Sequence, residues 1–246
     1  MEYGLIGEKL GHSYSQMIHA RLADYRYELK EVAPERLDAF IEARNFRGLN
    51  VTIPYKQAVM KHCAELSPEA MEVGSVNTLI VRPDGSLFGH NTDIDGFIYM
   101  LRRGEIDPAG AKAVILGSGG TSLTARAALT RLGAREIVTV SRKGPVDYAA
   151  LYAEHADAEI LVNATPVGMY PKNGASPVEL DRLPKVRGVA DVIYNPEKTA
   201  LILAAQAKGI PAVSGLSMLV AQAREAAELF AGHAIPAGRV EDIVSE

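Results

Sequence analysis

The chain has 246 residues, 48% of them hydrophobic and 23% charged, with a net charge of −4. That is an ordinary soluble balance, with length for one large domain or two small ones. The mild negative charge and the lack of a long basic run exclude the usual signatures of nucleic-acid binding and of attachment to anionic membranes.

The single cysteine, Cys63, has no internal partner and fits a reducing, cytoplasmic setting. The opening MEYGLIGEKLGHS lacks the basic leader and apolar core of a secretory signal. No apolar run reaches the ~20 residues that span a bilayer. Six histidines occur without HExxH spacing or a Cys/His cluster, so no dedicated metal site is expected.

In chain order, YGLI reads as a strand, and Ser15 is placed to cap a helix through QMIHARLADYR. YELKEV is a second strand. Pro34 opens a helix over PERLDAFIEARNF, where its missing N–H costs nothing. GLNVTIP is a third strand, and YKQAVMKHCAEL reads as a third helix. SVNTLIV and SLFGHNT flank the turn PDG and predict a hairpin. DGFIYMLRRG is a helix ending at Gly104. The polar, turn-rich EIDPAGA near Asp107 is a candidate linker.

Beyond it a second series begins. KAVILG is a continuous apolar strand of the kind buried on both faces. TARAALTRLG is a helix, and EIVTVS, AEILVNAT and GVADVIY are strands. EKTALILAAQAKG is a helix, IPAVSG a strand, and LSMLVAQAREAAELFAG and GRVEDIVSE are the last helices. Such repeated units predict α/β architecture in two lobes, with ligands at the carboxyl ends of the strands.

The turn GSGG follows a buried strand and precedes a helix. Gly117, Gly119 and Gly120 there let backbone N–H groups approach a pyrophosphate. The third small position falls on Ser122, so the fingerprint is imperfect, and a plain strand-to-helix turn is the bland alternative. An NAD-binding protein commonly places a carboxylate at the end of the next strand. Here that strand ends in Ser141, Arg142 and Lys143. These suit a 2′-phosphate, and the expected cofactor is NADP(H); two solvated surface cations are the competing reading.

Polar side chains gather at predicted strand ends: Ser13 and Ser15 in GHSYS, Asn77 and Thr78 in SVNTL, and Asn91, Thr92 and Asp93 in GHNTD. Buried amides and carboxylates are costly unless bonded, so together they suggest a polar substrate pocket. Asp93 alone is equally a cap for a helix starting near Gly96. Lys56 follows the strand end in GLNVTIPYK. Ketone reduction builds negative charge on oxygen, and a lysine ammonium can protonate it, with Asp93 orienting the ammonium. A helix-start lysine facing water is the alternative.

Taken together, the segments GHSYS, GLNVTIPYK, GSVNTL, GHNTDIDG, GSGG, SR, NATPVGM, DVIYNP and GLSMLVAQA resemble those of the shikimate dehydrogenases, nearly end to end. The resemblance implies an enzyme that reduces 3-dehydroshikimate to shikimate with NADPH, on the way to chorismate and aromatic amino acids. It makes Lys56 and Asp93 the catalytic pair. It assigns Ser13 and Ser15 to the substrate carboxylate, and Thr52, Asn77, Asn91 and Gln222 to its hydroxyls, with Tyr194 near the substrate. Gly117, Ser118, Gly119 and Gly120 would meet the pyrophosphate. Ser141 and Arg142 would meet the adenosine 2′-phosphate. Ala164, Thr165, Val192 and Gly215 would line the cofactor.

The family's substrate domain is split, which implies residues 1–95 with helices 217–246 around a Rossmann-type NADP-binding domain at 96–216. A small-molecule substrate is expected, without nucleic acid or membrane, in a monomer or homodimer. The chain departs from the family pattern at Gln16 (usually Pro), Ala20 (usually Asn), GSGGT (usually GAGGA) and Ser-Arg-Lys (usually Asn-Arg-Thr). Competing readings are a quinate/shikimate or aminoshikimate dehydrogenase, a non-catalytic NADP(H)-binding sensor, and a folate-metabolising dehydrogenase; HNTD and the serine pair do not suit the last.

Overall fold

YGLIG, GLNV, TLIV and LFGH are short, rich in branched or aromatic side chains and bounded by turn residues, and each forms a strand. A computed structural model describes residues 1–11 and 13–245. By its contacts it divides into two units, Met1–Asp93 with Gln222–Glu246, and Ile94–Ala221. The first contains β1 (Tyr3–Gly7), α1 (Ser15–Leu22), β2 (Tyr27–Glu31), α2 (Leu37–Glu42), β3 (Gly48–Val51), β4 (Glu65–Leu66), α3 (Pro68–Val73), β5 (Thr78–Val81) and β6 (Leu87–His90). Helix α4 (Asp93–Arg103) carries the chain into the second unit. There follow β7 (Lys112–Leu116), α5 (Gly120–Arg131), β8 (Glu136–Val140), α6 (Tyr148–Glu154), β9 (Ile160–Asn163), β10 (Gly188–Asp191), α7 (Ala200–Ala207) and β11 (Ala212–Ser214). Helix α8 (Leu216–Ala231) begins in the second unit and ends in the first, where α9 (Gly238–Val244) completes the chain.

The first sheet has the order β2-β1-β3-β5-β6-β4. β1 runs parallel to β2 and β3, and β4 parallel to β6. β5 is antiparallel to both β3 and β6. Alternate residues face opposite sides. Leu49, Leu79 and Leu87 join Ile6, Ile41 and Val59 in one buried layer. Tyr3, Leu5 and Tyr27 pack on the other side with Ala226 and Phe230 of α8. The second sheet is wholly parallel, in the order β11-β10-β9-β7-β8. β7 is fully buried, as its unbroken apolar run requires.

Several local readings need correction. The segment read as a third helix forms a 3-10 turn at Ala58–His62 and then β4. The N–H groups of Ala64 and Ser67 bond to Leu87 and Gly89 carbonyls on β6, so sheet pairing takes the backbone that a helix would need. Pro68 then forces Ser67 into extended geometry (ψ 158°), and its hydroxyl caps α3 by accepting from Ala70 N–H. Ser15 is the first residue of α1 rather than its cap; Tyr14 holds that position and makes no side-chain cap bond. Helix α4 starts at Asp93 itself, not near Gly96. The polar stretch 105–111 lies inside the second unit, and the chain crosses at Asp93–Ile94. Among the described residues no helix is long and apolar enough to cross a membrane.

One buried polar group marks the face covered by α1. His19, 1% exposed, stacks on Tyr27 at 3.9 Å between ring centres, and its Nδ1 lies 2.7 Å from Tyr25 OH. Burial pushes the imidazole down to about 3, against the opposing pull of its bond to Asn50. Between pH 6.5 and about 3 the unfolded chain binds a proton at His19 that the folded chain refuses. Stability from this group is therefore complete above pH 6.5 and falls as the pH is lowered, by on the order of a few kcal/mol. Thermal midpoints should drop from pH 6.5 to 4 more steeply in the wild type than in His19→Phe, which keeps the stacked ring and removes the titration. Parallel curves would refute the assignment.

Candidate active site

The first unit brings polar side chains to one end of its sheet. β1 and β3 are parallel, so the loops that follow them, carrying Ser13–Ser15 and Thr52–Lys56, leave from the same end. β5 runs opposite to β3, so Asn77 and Thr78 stand where β5 begins at that end. β6 returns to it, with His90 opposite Thr78, and delivers Asn91, Thr92 and Asp93. Gly7, at the end of β1, has no Cβ because Thr52 Cγ2 would lie 2.8 Å from it.

There Lys56 Nζ donates to Asp93 Oδ2 at 2.6 Å. The side chains are 30% and 15% exposed, shielded yet reachable by a small molecule. Asp93 Oδ1 accepts from Asn77 Nδ2 at 2.9 Å. Asn77 is held in turn: its Oδ1 accepts from Thr92 N–H at 2.9 Å and from Thr78 Oγ1 at 3.0 Å. A backbone N–H can only donate, so that contact fixes which end of the amide faces Asp93. Negative charge is also favourable at the first turn of α4. Thr92 Oγ1 donates to Gln222 Oε1 at 3.4 Å, which brings the start of the returning chain to the same place.

Asn91 lies at the same strand end, directly after β6. It is fully buried, its Nδ2 donates to Ser75 O and Oγ, and its Oδ1 accepts from Asp93 N–H. It thereby shapes the entry into α4. Ser13 Oγ donates to Ser15 Oγ at 3.1 Å, so the two serines form one hydroxyl pair; His12 beside them lies outside the described residues.

Behind these groups sits a buried chain that the sequence reading missed. Tyr27 OH donates to Asn50 Oδ1 at 2.7 Å, and Asn50 Nδ2 donates to Thr78 Oγ1 at 3.1 Å. The sequence reading gives Asn50 no role beyond its place in the third strand. Its signal was an asparagine on a strand buried on both faces, where a partner is obligatory.

In the second unit, Gly117 follows β7 at φ 105°, a left-handed backbone region that favours glycine, and a Cβ there would lie 2.9 Å from Ala164 O. Around Gly119 and Gly120 nothing lies within 4 Å of a Cβ. Gly119 sits at the N-cap of α5 and makes no side-chain cap bond, so the helix start presents backbone donors. Ser122 is buried, its hydroxyl returned to Gly119 O at 2.5 Å. The order β8-β7-β9 makes this a switch point, where ligands bind on open α/β sheets. Gly117 N–H bonds to Val140 O, so Ser141, Arg142 and Lys143 begin directly beside the glycine turn. Both cations are exposed.

Thr165 is fixed by Asn163, whose Oδ1 accepts its N–H and its hydroxyl, while Asn163 Nδ2 donates to Asp191 Oδ1 at 3.0 Å. Asp191 also accepts from Thr199 Oγ1 and Ile193 N–H. Burial pushes its carboxyl up, and these three donors oppose the shift. The network braces the loops after β9 and β10, which carry Ala164, Thr165, Val192 and Tyr194. A Cβ on Gly215 would lie 2.0 Å from Val192 O, so only glycine lets the chain pass there.

A family model described as the shikimate dehydrogenase substrate binding domain matches residues 5–79. The shikimate dehydrogenase (NADP(+)) of Caldanaerobacter subterraneus subsp. tengcongensis is 36% identical over 256 residues, covering 94% of this chain and 91% of that protein. The one from Methanopyrus kandleri is 37% identical, covering 99% and 94%. A solved chorismate mutase/shikimate 5-dehydrogenase fusion protein from Clostridium acetobutylicum superposes with a TM-score of 0.93 at 38% identity, covering 99% of this chain and 95% of that one. Identity of this order along nearly the whole of both chains leaves one conclusion: the protein belongs to the shikimate dehydrogenase family.

Proposed function

We propose that this enzyme reversibly reduces 3-dehydroshikimate to shikimate with NADPH. The observation that carries the reading is the Lys56–Asp93 pair at 2.6 Å, fixed by Asn77 at the polar end of the first sheet. A dinucleotide fits the second unit: the glycine turn is open where a phosphate must approach, and α5 starts with backbone donors. Gly117, Ser118, Gly119 and Gly120 would hold the pyrophosphate. Ser141, Arg142 and Lys143 would hold the 2′-phosphate, and Ala164, Thr165, Val192 and Gly215 would line the rest. When bound, the cofactor supplies the hydride.

The chain's own residues do the remainder. Lys56 Nζ keeps one N–H on Asp93 and has two to offer. As the ketone oxygen gains negative charge, Lys56 gives it a proton. Asp93 holds the ammonium in place. Ser13 and Ser15 bind the carboxylate, Thr52, Asn77, Asn91 and Gln222 hold hydroxyls and frame the ring, and Tyr194 lies near the substrate. Asn91 also sets the backbone of Asp93.

The deciding experiment is initial rates of shikimate oxidation with NADP and NAD in parallel, and quinate as second substrate. Fast turnover with shikimate and NADP is expected. Preference for quinate would replace the substrate, and NADPH binding without any turnover would favour the sensor reading. Lys56→Ala should lower kcat by about 10²-fold or more and leave NADPH affinity nearly unchanged; near-normal turnover would remove the proton-donor role. Arg142→Ala should weaken NADPH by about tenfold or more and NADH little, because only NADPH carries the 2′-phosphate. Equal losses would sink that assignment.

A further inference from the structure

His90 is the last residue of β6 and the first of the sequence that delivers Asp93. Its register partner is Thr78, and both point to the sheet face opposite Leu79 and Leu87. On that face lies the returning half of α8. His90 Nε2 bonds to Glu225 Oε1 at 3.0 Å, and its Nδ1 faces Glu69 Oε2 of α3 at 3.7 Å. The ring therefore stands between acidic side chains from two helices and is itself only 13% exposed. Glu225 is three residues beyond Gln222, so the two share one helix face. Gln222 in turn receives Thr92 Oγ1, two residues after His90.

These contacts close a loop: His90 to Glu225, along one turn of α8 to Gln222, across to Thr92, and back along the chain to His90. We propose that His90 and Glu225 are positioning residues that fix the rotation and height of α8 so that Gln222 meets the substrate. The Lys56–Asp93 pair has its own support in Asn77 and does not depend on this pin. Losing the pin should weaken binding of substrate and transition state alike, and so raise KM while sparing kcat. The inference rests on the functional reading above only for its kinetic arm.

The test compares His90→Phe, which keeps an aromatic ring, with His90→Gln, whose amide can still donate to Glu225. His90→Phe and Glu225→Ala should each raise KM for shikimate by about tenfold, with kcat and KM for NADP within about twofold. The double variant should be no worse than either single one, and His90→Gln should recover most of the loss. Hydrogen–deuterium exchange reads the same pin without turnover: amides of residues 222–231 should exchange faster in His90→Phe than in the wild type or His90→Gln. Unchanged KM and unchanged exchange, additive losses in the double variant, or a fall in kcat as large as the change in KM would each overturn the proposal. If the wild type does not turn over shikimate, the functional reading fails and the exchange arm alone decides this one.

Discussion

The hairpin register that sets Thr78 opposite His90 is the constraint on which the first unit's site depends. Asn77 precedes β5 and Asn91–Asp93 follow β6, so this pairing alone brings the amide of Asn77 within reach of Thr92 N–H and Asp93. A slip of β6 by one residue would turn His90 to the leucine-lined side, move Leu87 off it and carry Asp93 away from Asn77. The apolar layer of Leu49, Leu79 and Leu87 opposes that slip, because it would take Leu87 out of the layer and put His90 into it. Hydrophobic packing on one face of the sheet thus sets polar geometry at its end.

The second unit solves a different problem. Its ligand must lie against backbone, so the decisive positions are ones where a side chain would be in the way. Gly117 and Gly215 each sit where a Cβ would meet a carbonyl of the loop after a neighbouring strand, Ala164 O after β9 and Val192 O after β10. The bracing comes from inside, through Asn163, Asp191 and Thr199, all essentially buried. Asp191 remains in that setting because three donors converge on it.

Lys56, Asp93, Asn77 and the glycine turn were legible in the sequence because each is a polar or flexible residue at the end of an apolar run. That pattern is local, and so were the strands that produced it. Asn50, Tyr27 and His19 were not legible as a group. They come from β3, β2 and α1, and only the sheet order β2-β1-β3 explains how they meet. The helix expected at 55–66 failed for a related reason: its apolar spacing was helical, but at its far end the N–H groups of Ala64 and then Ser67 found partners on β6, more than twenty residues away. The partners of Asn91 were not legible either, because composition shows an amide and not what its donors meet.

The chain leaves the first unit after Asp93 and re-enters it at Gln222. The two crossings therefore carry an acid of the candidate pair and a candidate substrate ligand. A crossing point is where strain from either unit would be felt first, and so a poor place for precise groups unless they are anchored. Both are anchored in the first unit. Asp93 is held by Lys56 and Asn77 through its side chain and by Asn91 through its backbone N–H. Gln222 is held by Thr92 directly, and by His90 through Glu225 one turn further along α8. The anchors share one strand end, residues 90–93, so Asp93 and Gln222 are referenced to the same short piece of backbone. Their relative position is then set by β6 rather than by the 128-residue excursion between them.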